Sequence, residues 1–126
     1  MPSQQQLEYA EWGDRRGDRW HRRWTRTTGT STLTDLVVEI RNGARETSTL
    51  VASSVTARQN TSVAAITLTD TNLAAGIIDW AVAPAETLKV ESGAGYTIEI
   101  EALVDGHATT IQRHAWRVDP QVAVRP

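Results

Sequence analysis

Few residues in this 126-residue chain have the types and spacing that chemistry requires. Its three histidines are His21, His107 and His114; none stands four residues from another, and no Asp or Glu falls at a zinc-like interval from them. Cysteine is absent, which excludes disulfides and thiolate metal sites and leaves the redox compartment unread. Asp70, Asp79, Glu86, Glu99, Glu101 and Asp105 offer carboxylates for a hydrolytic pair. Glu99 and Glu101 do share one face of a strand, but a solvated outer face accounts for both. Gly-x-Ser-x-Gly, the phosphate loop and Gly-x-Gly-x-x-Gly are all missing. Gly93-Ala94-Gly95 leads into a strand and reads as a turn. No base, nucleophile or metal set can be assembled, so the chain is read as a non-enzyme that needs no cofactor and no metal.

Two short matches carry little. Arg16-Gly17-Asp18 spells a tripeptide of some integrin ligands, and three letters recur by chance. Asn60-Thr61-Ser62 is an N-glycosylation sequon, expected to stay unmodified because the N-terminus Met1-Pro2-Ser3-Gln4-Gln5-Gln6 is polar where a secretory leader is basic and then apolar. On that basis the chain is expected to be made in the cytoplasm.

The Arg/Trp cluster has more to offer. Arg15, Arg16, Arg19, Arg22, Arg23 and Arg26 are six of the 13 Lys and Arg residues, and they interleave with Trp20 and Trp24. Arginine among aromatics suits single-stranded nucleic acid, which pairs its phosphates and stacks its bases. The same two residue types dominate protein–protein hot spots. A formal net charge of −2 and no RNA-recognition signature favour the protein partner.

The elements that must position these residues are strands. The chain has five Trp, two Tyr and no Phe, and its many Val, Ile and Thr suit a pleated surface. No apolar stretch is long enough to cross a membrane as a helix, and no period of 20–50 residues marks a repeat. Residues 1–19 show neither a strand nor a helix period and read as an extended arm, whose Tyr9 and Trp12 need a dry surface elsewhere. From Trp20 the alternation begins. Trp20 and Trp24 share a face, as do Leu36, Val38 and Ile40 in 36–41, and Asn42-Gly43 then predicts a two-residue hairpin turn. A strand lies within 47–57 and another within 62–69, where Ile66 and Leu68 face together. In 76–82 Ile78, Trp80 and Val82 point one way. Pro84-Ala85-Glu86-Thr87-Leu88 suits a single helical turn. Tyr96, Ile98, Ile100 and Ala102 form the inward set of 96–104, and Asp105-Gly106 is the second hairpin signal. In the last strand Ile111 falls out of parity with Trp116 and Val118, which predicts a bulge. The pattern is all-β, an Ig-like antiparallel β-sandwich of about seven strands. Its divisions are an N-terminal arm (1–19), a sandwich domain (20–119) and a C-terminal tail (120–126).

In order and spacing, the chain from Arg16 onward resembles small tailed-bacteriophage virion proteins, among them the N-terminal domain of the phage baseplate upper protein family. The residues that carry this are Arg16-Gly17-Asp18-Arg19-Trp20, Trp24, Leu33-Thr34-Asp35-Leu36 before Asn42-Gly43, and Ile66-Thr67-Leu68-Thr69. Pro84-Ala85-Glu86-Thr87 with Gly95-Tyr96, Asp105-Gly106 and the closing Trp116-Arg117-Val118-Asp119-Pro120 complete it. Gly76-Ile77-Ile78-Asp79-Trp80 departs from that pattern by a strand's worth of residues. The resemblance implies an Ig-like sandwich that docks on a virion, as a capsid decoration protein or as a baseplate or fibre-base adaptor, and it brings no catalytic residues. The expected partners are other virion proteins, bound through Tyr9, Trp12, Arg15, Arg16 and Arg19, in a homo-oligomer or multicopy assembly, with no membrane contact. Two alternatives stand beside it: a carbohydrate or host-surface module stacking ligands on exposed Trp80 or Trp116, and a single-strand nucleic-acid binder using the Arg/Trp cluster.

Overall fold

The computed structural model describes residues 13–26, 29–69 and 71–120. Nine strands lie among them: β1 (Gly13–Arg15), β2 (Trp20–Thr25), β3 (Leu33–Asn42), β4 (Thr49–Ser53), β5 (Ala64–Ala65), β6 (Thr67–Leu68), β7 (Ile77–Val82), β8 (Gly93–Val104) and β9 (His107–Asp119). One helical turn, α1 (Pro84–Thr87), bridges β7 and β8 and starts on proline, whose missing N–H is no loss at that position. The strands form two sheets, a six-stranded one in the order β1-β9-β8-β3-β4-β5 and a three-stranded one in the order β2-β7-β6. All-β architecture in two sheets is thus what alternation produces.

Strand number exceeds the expected seven for two local reasons. The stretch expected as one strand across 62–69 changes sheets part-way: Ala64–Ala65 pairs in parallel with β4, and Thr67–Leu68 pairs antiparallel with β7. Ile66, between them, is buried and donates its backbone N–H to Ser53 O. The other addition is β1, which lies in the segment read as an arm.

The two glycine corners differ. Asp105 and Gly106 hold φ of 49° and 85° and link the paired residues Val104 and His107, which is a two-residue hairpin with both central residues left-handed. At the first corner Asn42 pairs with Thr49, so residues 43–48 form the connection and the expected two-residue turn is corrected. Ser48 closes this longer loop, its hydroxyl accepting the Arg45 N–H and its backbone N–H bonding Arg45 O.

In β9 the register against β8 jumps from Gln112 opposite Ile100 to Thr110 opposite Glu101, leaving Ile111 as the extra residue. That bulge returns Ile111 to the core side, where it packs half-buried below His114, Trp116 and Val118. In β3 a second irregularity, at Asp35 with φ 50°, turns Leu36 half out while Val38 and Ile40 stay fully buried. The expected inward residues of β7 and β8 form the rest of the core: Ile78, Trp80 and Val82 meet Tyr96, Ile98, Ile100 and Ala102. At its centre Trp116 lies between Trp20 and Trp80, with ring centroids 6.0 and 5.7 Å away and planes tilted by 57° and 49°. Tilted contacts of this kind set the positive edge of one ring against the negative face of the next.

Candidate partner-binding surface

The first described residues belong to the domain. β1 runs parallel to the end of β9, with Gly13, Asp14 and Arg15 opposite Arg117, Val118 and Asp119. Arg16 then fastens the chain: its Nε donates to Val90 O at 2.7 Å, its Nη2 to Leu88 O at 2.5 Å, and its backbone N–H to Asp119 O. Gly17 donates its N–H to Thr87 Oγ1, and the buried Thr87 hydroxyl donates to Asp18 O. Trp20 Nε1 closes the segment onto Arg15 O at 2.9 Å. Arg16, one of the residues expected to bind a partner, thus donates its guanidinium to two carbonyls of its own domain. The segment expected as an arm therefore divides: residues 1–12, including Tyr9 and Trp12, lie outside the described residues, and 13–18 are fixed to the sheet edge. Of the described arginines proposed for a partner, Arg15 and Arg19 are exposed.

The Arg/Trp cluster resolves into a core and its cover. Arg22 Nη2 lies 3.0 Å from Asp14 Oδ2, and its guanidinium sits 5.2 Å from the centre of the Trp116 ring. Burial pushes the Asp14 carboxyl up to about 6 against the pull of Arg22, with Asp18 and Asp119 adding to the rise. Arg23 Nε and His21 Nε2 each lie 2.7 Å from the oxygens of Asp79, and Arg26 Nη1 donates to Ser31 O. Trp20 is fully buried and Trp24 half-buried against the core. Arg22, Arg23 and Arg26 are thus engaged within the domain. Trp80 and Trp116 are each 1% exposed, so neither can serve as a platform for a sugar.

Alternation placed Asp79 on the outer face of β7, and the structure buries it at 1% exposure. Burial raises its pKa, but hydrogen bonds from Thr69, Arg23 and His21 outweigh that and hold it at about 2. Sequence reasoning missed this knot, because its donors come from β2 and from the residue after β6, which only the register brings together. His114 is buried beside Gln112 and its pKa falls to about 4 through desolvation, so it is neutral at pH 7.

Away from the small sheet, the outer face of β3, β8 and β9 carries a groove of about 420 Å³. Its floor includes Glu39, Arg41, Glu99 and Arg113, and the 43–46 loop forms one wall. Glu39 and Glu99 stand directly opposite each other in the ladder. The first is answered by Ser53 Oγ at 2.6 Å, Arg58 at 2.9 Å and Arg41 at 3.2 Å, and the second loosely by Arg113 at 3.9 Å. Arg113 also donates to Ala44 O, pinning the loop. Among the described residues no group of three or more His, Asp or Glu is placed to hold a metal ion, and no helix is long and apolar enough to cross a membrane. No protein-family model matches this chain, and no curated protein does so either.

Proposed function

We propose that this chain is a bacteriophage virion structural protein, a non-enzymatic Ig-like sandwich that docks on the particle through the residues preceding Gly13. The fold part of this reading draws support from strand order. Taking β2, β7 and β6 as one layer and β9, β8, β3 and β4 as the other gives a strand order consistent with a variable-type immunoglobulin sandwich, with β1 and β5 at the edges of the larger sheet. Tyr96, at the start of β8, donates its hydroxyl to Glu91 O five residues upstream at 2.6 Å, the contact that marks the tyrosine corner of such folds.

The docking part rests chiefly on one observation: residues 13–18 are clamped to the sheet edge by Arg16 and Thr87. Tyr9 and Trp12, which lie outside the described residues, are the proposed aromatic anchors on a neighbouring subunit. Aromatic anchors contribute large contact area on binding and dominate interface energetics. Exposed Arg15 and Arg19 beside that origin suit carboxylates of a partner. In this reading the chain resides in the virion, as a capsid decoration protein or an adaptor at the baseplate or fibre base.

The test is removal of residues 1–12 in a phage that carries the gene, leaving β1 intact. The truncated chain is expected to melt cooperatively like the full chain and to be missing from purified particles. Normal incorporation of the truncated chain would refute docking through this segment.

A further inference from the structure

The outer face of the six-stranded sheet is charged in two halves. Arg117 lies between the buried Trp116 and Val118, and Arg113 beside the buried His114, so strand alternation points both arginines outward onto this face. Arg15 joins them, because it lies beside Asp119 on β1 while its neighbour Asp14 pairs with the inward Val118. The next two strands carry the opposite sign. Glu99 and Glu101 alternate with the buried Ile98 and Ile100 on β8, and Glu39 lies between the buried Val38 and Ile40 on β3. The countercharges are Asp119 on the basic side, 3.1 Å from Arg117, and Arg41 and Arg58 on the acidic side, both paired with Glu39, which leaves Glu99 and Glu101 as the carboxylates open to a partner.

A face divided in this way is complementary to itself. Rotation by 180° about an axis along the strands, above the line between β8 and β9, lays the basic half of one copy on the acidic half of another. Both copies then use the same patch, as a closed two-fold dimer requires. Adjacent strands are about 4.8 Å apart, so the two halves are separated by less than the screening length of about 10 Å at 0.1 M salt. The register strengthens the fit. Arg113 and Glu99 are cross-strand partners at one level of the sheet, so the rotation sets Arg113 of each copy above Glu99 of the other, with Glu101 one diagonal step away. Within one chain Glu99 and Arg113 are held only at 3.9 Å, and no ion pair of Glu101 occurs among the described residues, so Glu99 has capacity for a second arginine and Glu101 for a first. The groove beside the 43–46 loop supplies depth for a long side chain.

We infer that this face is a salt-sensitive, two-fold contact surface for a second copy of the same chain. The inference goes beyond docking on the particle and is independent of the residues preceding Gly13, so the truncated chain would retain it.

Sedimentation equilibrium of the purified full chain tests it, with no phage particle involved. A reversible dimer is expected in about 0.05 M salt and its dissociation in about 0.5 M salt, as screening shortens. Glu101→Arg, at an exposed position, is expected to raise the dissociation constant at least about tenfold by setting like charges against each other. Arg113→Glu combined with Glu99→Arg, which reverses both charges of the directly opposed pair, is expected to keep the dissociation constant within about threefold of wild type, with a thermal melt checking the fold of each variant. A chain that stays monomeric in low salt at about 0.1 mM would overturn the inference, as would a dimer indifferent to Glu101→Arg.

Discussion

Asp79→Asn isolates the buried carboxylate that ties β2, β6 and β7 together. The carboxylate has a folded pKa of about 2 against an ordinary value of 3.8. A depressed acid pKa means that the folded state favours the ionised form. Its contribution is complete above the unfolded value and disappears as pH falls through the folded one. At about 1.4 kcal/mol per pKa unit, the difference corresponds to about 2 kcal/mol at pH 7. Asp79 is covered, yet His21 and Arg23 above it are 43% and 49% exposed, so solvent weakens the coulombic share and the hydrogen bonds carry most of the effect. Asparagine also turns an N–H donor towards other donors, which adds about 1 kcal/mol. The expected loss at pH 7 is therefore about 2–3 kcal/mol, a fall in Tm of roughly 6–12 °C for a domain of this size. Urea unfolding followed by tryptophan fluorescence should show that deficit at pH 7 with an unchanged slope, and a much smaller one at pH 2. A deficit below about 0.5 kcal/mol at pH 7, or the same deficit at both pH values, would refute the reasoning.

Asp14→Asn should act in the opposite direction. With a folded pKa of about 6, the wild-type carboxyl stabilises fully below about 4 and loses that contribution as pH rises through 6. The variant should therefore melt at a higher temperature than wild type at pH 7.5 and close to it at pH 4; a lower Tm at pH 7.5 would show that the Arg22 pairing outweighs burial. Trp116→Ala removes the middle ring of the three-tryptophan core and should cost about 3–5 kcal/mol in urea unfolding. Tyr96→Phe deletes the hydroxyl bonded to Glu91 O and should cost about 1 kcal/mol, with the near-ultraviolet dichroism of the tryptophan core preserved.

Much of the fold was legible because a strand with one buried face repeats every two residues. Trp20, Val38, Ile40, Ile78, Trp80, Ile98 and Ile100 could be assigned inward from spacing alone, and the parity break at Ile111 located the β9 bulge. What failed depended on long-range register. Asp79 looked solvent-facing until β2 and the residue after β6 brought donors over it. Ala64–Ala65 and Thr67–Leu68 looked like one strand, because nothing local distinguishes a strand from one that crosses between sheets. Arg16 looked available because the carbonyls it meets, on Leu88 and Val90, lie more than seventy residues away. The charged halves of the outer face were equally hidden: Glu99 and Glu101 were visible as an outward pair, but their position beside Arg113 required the β8–β9 register.

The most direct test of a structural role in the virion is quantitative mass spectrometry of purified particles, with heads and tails separated. The chain should be recovered in one of the two fractions at a constant number of copies per particle. Particles that lack it, in a lysate where it is abundant and free, would contradict the account.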